Sequence, residues 1–378
     1  MKVALDATAV PDLPGGAGRY VVDLSAALAI RRDVDLTLVC RRHDKSRWEA
    51  TAPGATVVAA APRPRPLRLG WEQAVLPGLL ARNGVQVHHG PHYTMPLRSG
   101  RPTVVTVHDL SLVEHPEWHH RSKVAFFGGA LRLAMARADA VIAVSEATAE
   151  GFRRQVAKRF RSAASKRDLP IHVIHHGVDH ERFHSRATAA DAALVAALGV
   201  RAPYVLFLGT LEPRKDVVSL VRAFSRLAPR HRDLRLVLAG SPGWGREAVE
   251  AAVAASPVGK RILRTGYVAH EAVAALLRAA AVVAYPSLDE GFGLPALEAL
   301  ACGAPLVTTT GSAMEEVAGG AASLVAPGDE IGLAEALEEA LAGGAAVDER
   351  CRQGLTIATG YTWSASAAAH AAVYHSLV

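Results

Sequence analysis

Short apolar segments alternate with helical patterns along the whole chain, and this alternation constrains its fold more than any other feature. Runs such as P-T-V-V-T-V and P-Y-V-L-F-L are apolar, end at turn residues and are followed by apolar residues at helical spacing. Strands that alternate with helices form parallel sheets covered by helices. Because the pattern restarts in the second half, we predict an α/β protein with two Rossmann-like, doubly wound domains facing each other across a cleft.

The domain boundaries are predicted from length and composition. A chain of 378 residues is long enough for about two domains. We predict a first domain at residues 1–183, a linker at residues 184–200, where the sequence becomes rich in alanine, and a second domain at residues 201–360. Residues 361–378 have helical spacing, and we predict that this helix packs back on the first domain.

The composition excludes several classes of protein. Half of the residues are hydrophobic and 21% are charged, which is typical of a globular chain. The cysteines at positions 40, 302 and 351 are odd in number and far apart, which favours a reducing compartment over a disulfide framework or structural zinc. The apolar runs are shorter than the roughly 18 residues of a membrane span, and M-K-V-A-L-D indicates a buried first strand rather than a signal peptide. We therefore predict a cytoplasmic protein.

Positive charge is concentrated in the first half of the chain. The formal net charge is +6, and Lys and Arg outnumber Asp and Glu in residues 1–180, whereas the reverse holds afterwards. Residues 153–167 combine seven basic residues with apolar ones, a pattern suited to an anionic membrane surface. A solvated helix face and GC-biased arginine usage explain the same pattern. Peripheral contact at the inner membrane face is thus one prediction, and we expect no nucleic-acid partner.

Two adjacent cations follow the strand that opens the second half. Arg214 and Lys215 lie where the next helix begins, so that their charges and the free N–H groups of the helix are close together. If both side chains point inward, this concentration of positive charge favours a polyanion.

The stretch D-E-G-F-G-L-P-A-L-E-A-L-A-C-G, residues 289–303, predicts a second ligand-binding loop. Pro286 ends the preceding apolar strand, so Glu290 lies on a loop whose glycines let its backbone approach a ligand. Glu298 lies one turn inside the following helix, and its side chain leans back towards the N-terminus. Carboxylates on this loop and helix can accept hydrogen bonds from the hydroxyl groups of a ligand that carries both phosphate and sugar. The alternative is an ordinary strand-loop-helix unit with Glu298 as a solvated residue.

The first half adds further candidate residues. Gly16 belongs to a glycine-rich turn between the first strand and its helix, a place where α/β proteins bind phosphates. The turn lacks the dinucleotide fingerprint, because Val21 stands where the third glycine is required. His108 and Asp109 end an apolar strand at the edge where parallel sheets bind ligands. Histidines are frequent nearby, but no H-E-x-x-H pattern occurs, and we expect no bound metal.

The motifs together identify a family resemblance. They are, in order, G-G-A-G, V-T-V-H-D, A-V-S-E-A-T, H-G-V-D-x-x-x-F, L-G-T-L-E-P-R-K and E-G-F-G-L-P-A-L-E. With them the chain resembles, over nearly its whole length, the retaining GT-B glycosyltransferases of family 4, the mannosyltransferase-like members of glycosyl transferases group 1. It departs from many relatives at His176, where they carry asparagine before the glycine of H-G-V-D.

The resemblance implies a role for each candidate residue. The second domain would bind a nucleotide diphosphate sugar and the first domain the acceptor. Arg214 and Lys215 would hold the diphosphate and stabilise its growing charge without a metal or cofactor. Glu298 would bind the ribose hydroxyls, and Glu290 the donor sugar hydroxyls. The other implied donor contacts are His108, Gly16, Gly291, Phe292, Gly293, Leu294, Tyr267 and Val268, the last two at the base.

The implied reaction is retaining transfer of a hexose, in polysaccharide biosynthesis or a related pathway. GDP-mannose is the first choice of donor, and UDP-hexoses and UDP-N-acetylhexosamine are alternatives. The acceptor is a hydroxyl group of a glycan, a lipid-linked sugar or a small molecule. Front-face attack and a covalent intermediate both remain open as mechanisms. Two other functions also remain open, a sugar-nucleotide epimerase on the same fold and a non-enzymatic carbohydrate- or anion-binding protein.

Overall fold

Each of the two units of this protein is built on a parallel β-sheet. The computed structural model describes residues 1–160 and 168–378, and Cα positions group the chain into one unit of Met1–Gly177 with Thr362–Val378 and another of Val178–Tyr361. Part of the predicted basic segment, residues 161–167, lies outside the described residues.

The first unit contains a seven-stranded parallel sheet in the order β3-β2-β1-β4-β5-β6-β7. Its strands are β1 (Lys2–Asp6), β2 (Asp35–Arg41), β3 (Thr56–Ala61), β4 (Val87–Gly90), β5 (Thr103–Val107), β6 (Ala140–Ala143) and β7 (Ile171–Val173). Its described helices are α1 (Gly16–Ala29), α2 (Lys45–Thr51), α3 (Arg65–Ala74), α4 (Leu76–Arg82), α5 (Ser111–Glu114), α6 (Arg121–Arg137), α7 (Glu146–Arg159) and the C-terminal α16 (Trp363–His375).

The helices cover both faces of this sheet, as the apolar patterns predict. Val21, Leu24 and Leu28 form the buried face of α1, and they belong to one apolar cluster with Ala371 and Tyr374 of α16. The C-terminal helix therefore belongs to the first unit, because its apolar face is buried against α1 and the sheet.

The second unit contains a six-stranded parallel sheet in the order β10-β9-β8-β11-β12-β13. Its strands are β8 (Tyr204–Leu208), β9 (Arg235–Ala239), β10 (Ile262–Gly266), β11 (Val282–Tyr285), β12 (Leu306–Thr309) and β13 (Ser323–Val325). Its helices are α8 (Asp191–Ala197), α9 (Val217–Leu227), α10 (Arg246–Ala255), α11 (His270–Ala279), α12 (Leu294–Ala301), α13 (Ala313–Ala318), α14 (Glu330–Ala342) and α15 (Ala345–Thr359).

Both sheets have a point where the strand order reverses. In the second unit the chain runs outward from β8 through β10 and then returns to place β11 beside β8, with Val283 opposite Leu206. In the first unit the reversal lies between β1 and β4. Loops that follow the strands on either side of such a reversal diverge and leave a crevice at the carboxyl edge, where α/β proteins bind ligands.

The stretch predicted as a linker, residues 184–200, lies wholly inside the second unit and contains α8. Asp191 of α8 accepts two hydrogen bonds of 2.7 Å from Arg278 of α11. The same guanidinium donates to the backbone carbonyl groups of Arg182 and His184. The alanine-rich composition led to the prediction of a linker, but a buried ion pair and small side chains instead attach this stretch closely to α11.

We predict that Arg278→Ala lowers the free energy of unfolding by about 3 kcal/mol at pH 7, because it leaves a buried carboxylate without its partner. The pKa of Asp191 is held well below its usual value, chiefly by its hydrogen bonds to Arg278. This stabilisation is present above the ordinary aspartate pKa of about 3.9 and is lost as the pH falls below it. Urea unfolding at pH 7 and at about pH 2.5, clearly below the ordinary aspartate pKa, measures both effects.

The matched control is Arg222→Ala, which removes an exposed arginine paired with Glu330. We expect a clearly smaller effect, because exposed pairs are screened by solvent. Equal destabilisation by the two substitutions would contradict the role given to Arg278.

Candidate functional site

The two cations and the glutamate singled out in the sequence meet at the strand reversal of the second unit. Arg214 and Lys215 lie on a single 3-10 turn between β8 and α9, and Glu290 lies on the loop between β11 and α12. Although about 75 residues separate them in sequence, β8 and β11 are neighbours in the sheet, and both loops leave its carboxyl edge.

One carboxylate binds both cations. Arg214 Nη1 donates to Glu290 Oε2 at 2.7 Å, and Lys215 Nζ donates to Glu290 Oε1. Two further hydrogen bonds join the loops: Leu288 N–H donates to the Arg214 carbonyl, and Arg214 Nη1 donates to the Asp289 carbonyl, both at 2.8 Å. The three charged side chains are only 12%, 14% and 8% exposed, so that this is a largely desolvated ion cluster.

The charges of this cluster depend on one another. Burial alone would raise the pKa of Glu290, but Arg214 and Lys215 overcome this effect and lower it to about 2. Burial lowers the pKa of Lys215, and the Glu290 carboxylate opposes that change. The carboxylate is therefore ionised at neutral pH, and together the three groups carry a net positive charge of one.

The residue after Lys215 has an unusual backbone conformation. Asp216 has φ 46° and ψ 42°, in the left-handed region, and its side chain accepts a hydrogen bond from Ser219 N–H as the N-cap of α9. A non-glycine residue in this region is strained. The turn directs Lys215 towards Glu290, and the cap helps to offset the strain.

The loop after Glu290 also depends on a left-handed residue. Gly293 has φ 90°, and a Cβ at this position would lie 2.6 Å from Met314 Cγ. Glycine is therefore required by both backbone conformation and space. Phe292 is buried and contacts Tyr361 edge to face, at 6.1 Å between ring centroids. Gly291 and Leu294 are buried on either side of these residues.

The remaining predicted donor contacts of the second unit lie at the same sheet edge or on α12. Tyr267 and Val268 follow β10, which is separated from β8 by β9; Tyr267 is 47% exposed and Val268 is buried. Glu298 lies in the second turn of α12, and its side chain is fully buried rather than solvated. The structure thus brings Arg214, Lys215 and Glu290 into contact, and the roles of these three and of the other site residues stay predictions.

Ser287 was missed by sequence reasoning, although it directly contacts this site. Its hydroxyl donates to Glu290 Oε1 at 3.0 Å from a fully buried position. The available signal was a hydroxyl residue placed directly after Pro286, between the strand and the acidic loop.

The candidate residues of the first unit lie at the carboxyl edge of its own sheet. Gly16 is the first residue of α1 and is exposed, and a Cβ there would have no neighbour within 4 Å. His108 follows β5, and its Nε2 lies 2.7 Å from the Pro91 carbonyl, to which it donates. Burial lowers the pKa of His108, and the hydrogen bond to Pro91 opposes this change.

A buried hydrogen-bond chain lies behind His108 in the same unit. His370 Nδ1 donates to a carbonyl of its own helix, so its Nε2 accepts from the Tyr20 hydroxyl at 2.8 Å. The Tyr20 hydroxyl in turn accepts a hydrogen bond from the Thr106 hydroxyl. Thr106 accepts from His89 Nε2, and His89 Nδ1 accepts from the Tyr374 hydroxyl. Each group donates once, which fixes both histidine tautomers and ties α16 to α1 and β5. Burial lowers the pKa of His370 to about 4, so this ring is neutral at pH 7.

The histidines that are frequent around His108 do not form a group with the spacing of metal ligands in the described part of the chain. Within residues 1–160 and 168–378, the group with metal-ligand spacing consists of Asp12, His43 and Asp44. Arg41 contacts both carboxylates, at 2.8 Å and 2.5 Å, so a guanidinium already offsets part of their negative charge.

The basic helix α7 belongs to the first unit, and its positive charge is the basis of the predicted membrane contact. Arg153 lies 3.6 Å from Glu146, and Arg154 lies 3.4 Å from Glu114, so acidic neighbours offset part of the basic charge. Among the helices that the structure describes, none combines the length and apolar character needed to cross a membrane.

Comparison with known proteins gives matches to both halves of the chain. Residues 14–182 match the family model described as Glycosyltransferase Family 4, and residues 202–343 match the model described as Glycosyl transferases group 1. Together the two models cover most of both units.

Full-length similarity extends to named proteins. The chain is 30% identical to the alpha-maltose-1-phosphate synthase of Mycolicibacterium smegmatis, over 90% of this chain and 92% of that protein. It is 26% identical to the O-antigen chain mannosyltransferase B of Escherichia coli, over 92% of each. The fold is similar to that of sucrose-phosphate synthase from Thermosynechococcus elongatus, with a TM-score of 0.79, 23% identity and coverage of 100% and 98%. It also resembles the Anabaena protein HepE in complex with UDP-glucose, with a TM-score of 0.78, 21% identity and full coverage of both.

We predict that Glu290→Gln destabilises the protein by about 3 kcal/mol, because it removes the carboxylate charge that pairs with two largely buried cations. If the cations form an anion site, inorganic pyrophosphate supplies that charge. Pyrophosphate should then raise the melting temperature of the variant by more than it raises that of the wild type. Thermal unfolding with and without pyrophosphate measures this difference.

Glu338→Gln serves as the control, because Glu338 also lies within salt-bridge distance of two basic residues, Arg230 and His231, but is 34% exposed. This variant should respond to pyrophosphate as the wild type does. An equal pyrophosphate response in Glu290→Gln and the wild type would exclude an anion site at Arg214 and Lys215.

Proposed function

The chain belongs to the family 4 glycosyltransferases, of the GT-B fold, and we propose that it transfers mannose from GDP-mannose with retention of anomeric configuration. It is a hexosyltransferase that uses a nucleotide sugar donor. Beyond family membership, the proposal specifies the identity of the donor, the stereochemistry of transfer and the residues responsible for both.

The observation that carries the proposal is the convergence of two largely buried cations on one site at the strand reversal of the second unit. Arg214 and Lys215 lie next to the N-terminus of α9, an eleven-residue helix. Breaking the bond between sugar and diphosphate leaves negative charge on the leaving phosphate. Fixed cations in a desolvated site stabilise this charge without reorganisation. Side chains supply this stabilisation, so the proposed chemistry needs no metal or cofactor.

The acidic residue of the cluster is assigned to the donor sugar. Glu290 would accept hydrogen bonds from the sugar hydroxyls, and the backbone N–H groups of residues 292–294 would donate hydrogen bonds to them. Glu298 would bind ribose, and Tyr267 and Val268 the base. From the first unit, His108 would contact the sugar and Gly16 the phosphate. The acceptor hydroxyl attacks the sugar carbon on the face that the diphosphate leaves, and a departing phosphate oxygen takes its proton. The anomeric configuration is therefore retained.

The choice of donor and acceptor rests on the relatives. A mannosyltransferase is similar over 92% of the chain and has a name that refers to an O-antigen chain. This supports mannose as the sugar and a glycan or lipid-linked glycan as the acceptor. The structural similarity to HepE, solved with UDP-glucose, keeps UDP-hexoses as the alternative donors. Peripheral membrane contact through the basic residues of α7 is a further part of the proposal.

The proposed function is tested with GDP-mannose, UDP-glucose, UDP-N-acetylglucosamine and ADP-glucose, each supplied with methyl α-mannoside. Release of nucleoside diphosphate is measured, and NMR of the product gives its anomeric configuration. We expect the highest kcat/KM with GDP-mannose and an α-mannoside product. Preference for another donor would overturn the donor assignment, and a β product would overturn retention.

Lys215→Ala tests the catalytic assignment. Loss of one charged contact to the leaving phosphate should lower kcat/KM by about 100-fold or more. Lys260→Ala, an exposed lysine of the same unit, is the control and should keep wild-type turnover. Near-normal turnover in Lys215→Ala would remove the mechanism proposed for the cation pair.

A further inference from the structure

Ser287 is a fully buried hydroxyl residue next to the ion cluster, and the mechanism proposed above assigns it no role. We propose that Ser287 is a positioning residue, which holds the Glu290 carboxylate towards the donor sugar when the diphosphate engages Arg214 and Lys215. This inference rests on the proposed function and adds a requirement to it.

The position of Ser287 is fixed by a neighbouring strand. Its carbonyl accepts a 2.6 Å hydrogen bond from the hydroxyl of Thr309, which is 1% exposed and ends β12. Its own hydroxyl donates to Glu290 Oε1 at 3.0 Å. A continuous set of contacts therefore runs from β12 through Ser287 to the carboxylate. Because both hydroxyl residues are buried, water competes little for these hydrogen bonds.

The donors to the carboxylate differ in charge. Glu290 Oε2 accepts from Arg214, whereas Oε1 accepts from both Lys215 and Ser287. A diphosphate carries more negative charge than one carboxylate, and it competes mainly for the charged donors, which form the stronger hydrogen bonds with anions. The neutral hydroxyl of Ser287 is less affected by that competition.

This difference gives Ser287 a role that depends on the ligand. While Glu290 is bound to both cations, the ion pairs position the carboxylate and the hydroxyl adds little. Once the diphosphate draws on the cations, the hydrogen bond from Ser287 limits the rotation of the Glu290 side chain. The carboxylate then stays oriented towards the sugar hydroxyls, and catalysis depends on such orientation.

The test compares Ser287→Ala with the wild type in two measurements. The first is turnover of the best nucleotide sugar, and the second is the dissociation constant of the matching nucleoside diphosphate, measured by calorimetry. We expect kcat to fall about tenfold or more, while the dissociation constant changes by less than twofold, because the cations that bind the diphosphate remain. A general structural defect would weaken both together.

Two further variants complete the test. Thr309→Val keeps Ser287 but removes its anchor, and kcat should fall about threefold with unchanged diphosphate binding. Ser225→Ala is the matched control, because it removes a hydroxyl of α9 that contacts Val221 and Ser256 rather than the site. It should keep wild-type values in both measurements. Melting temperatures of all variants show whether each is folded at the assay temperature.

The outcomes separate this inference from the function on which it rests. If the wild type turns over a nucleotide sugar and Ser287→Ala keeps kcat within twofold, the positioning role is wrong and the proposed function stands. An equal loss of turnover and diphosphate affinity also overturns the positioning role. If the wild type turns over no nucleotide sugar, the proposed function fails and this inference fails with it.

Discussion

The buried contact of Glu290 with Arg214 and Lys215 is the interaction on which the rest of the site depends. Two cations in a desolvated position are unfavourable without a counter-charge, and one carboxylate supplies it. Under the proposed function, the same cations bind the diphosphate of the donor. The cluster keeps a net positive charge, so that it remains attractive to an anion even when the carboxylate is in place. Under the proposed function, the stability of the free protein and its affinity for the donor therefore depend on the same three side chains.

Part of the backbone next to this cluster is held in a strained conformation, which costs free energy. Asp216 and Gly293 both have left-handed conformations, one directly after the cations and the other in the loop of the glutamate. Reciprocal hydrogen bonds between Arg214 and residues 288–289 join these loops. Asp216 is strained in this conformation, which glycine adopts readily, and a strained residue persists only where its surroundings hold it in place. Here the neighbouring strands β8 and β11 and the buried ion cluster provide that restraint.

Several features of this structure follow directly from local patterns in the sequence. Alternating apolar strands and helices predicted two doubly wound sheets, and Arg214 and Lys215 were predicted to lie where a helix begins, which is directly before α9. The boundary of the second unit was harder to predict from the sequence. Residues 184–200 have a composition typical of a linker, yet the distant Arg278 binds them into that unit through Asp191. Composition describes what a segment prefers locally, whereas a long-range ion pair depends on a partner elsewhere in the chain.

The sequence by itself determined the elements of each sheet, the family, and the residue types that could bind a diphosphate and a sugar, because these depend on local spacing and chemistry. Only the tertiary structure decided that Glu290 binds both cations, that Glu298 is fully buried and that Ser287 contacts the carboxylate. The order of strands across the sheet brings residues about 75 positions apart into hydrogen-bonding distance. Strand order results from the packing of the whole unit, and no local pattern encodes it.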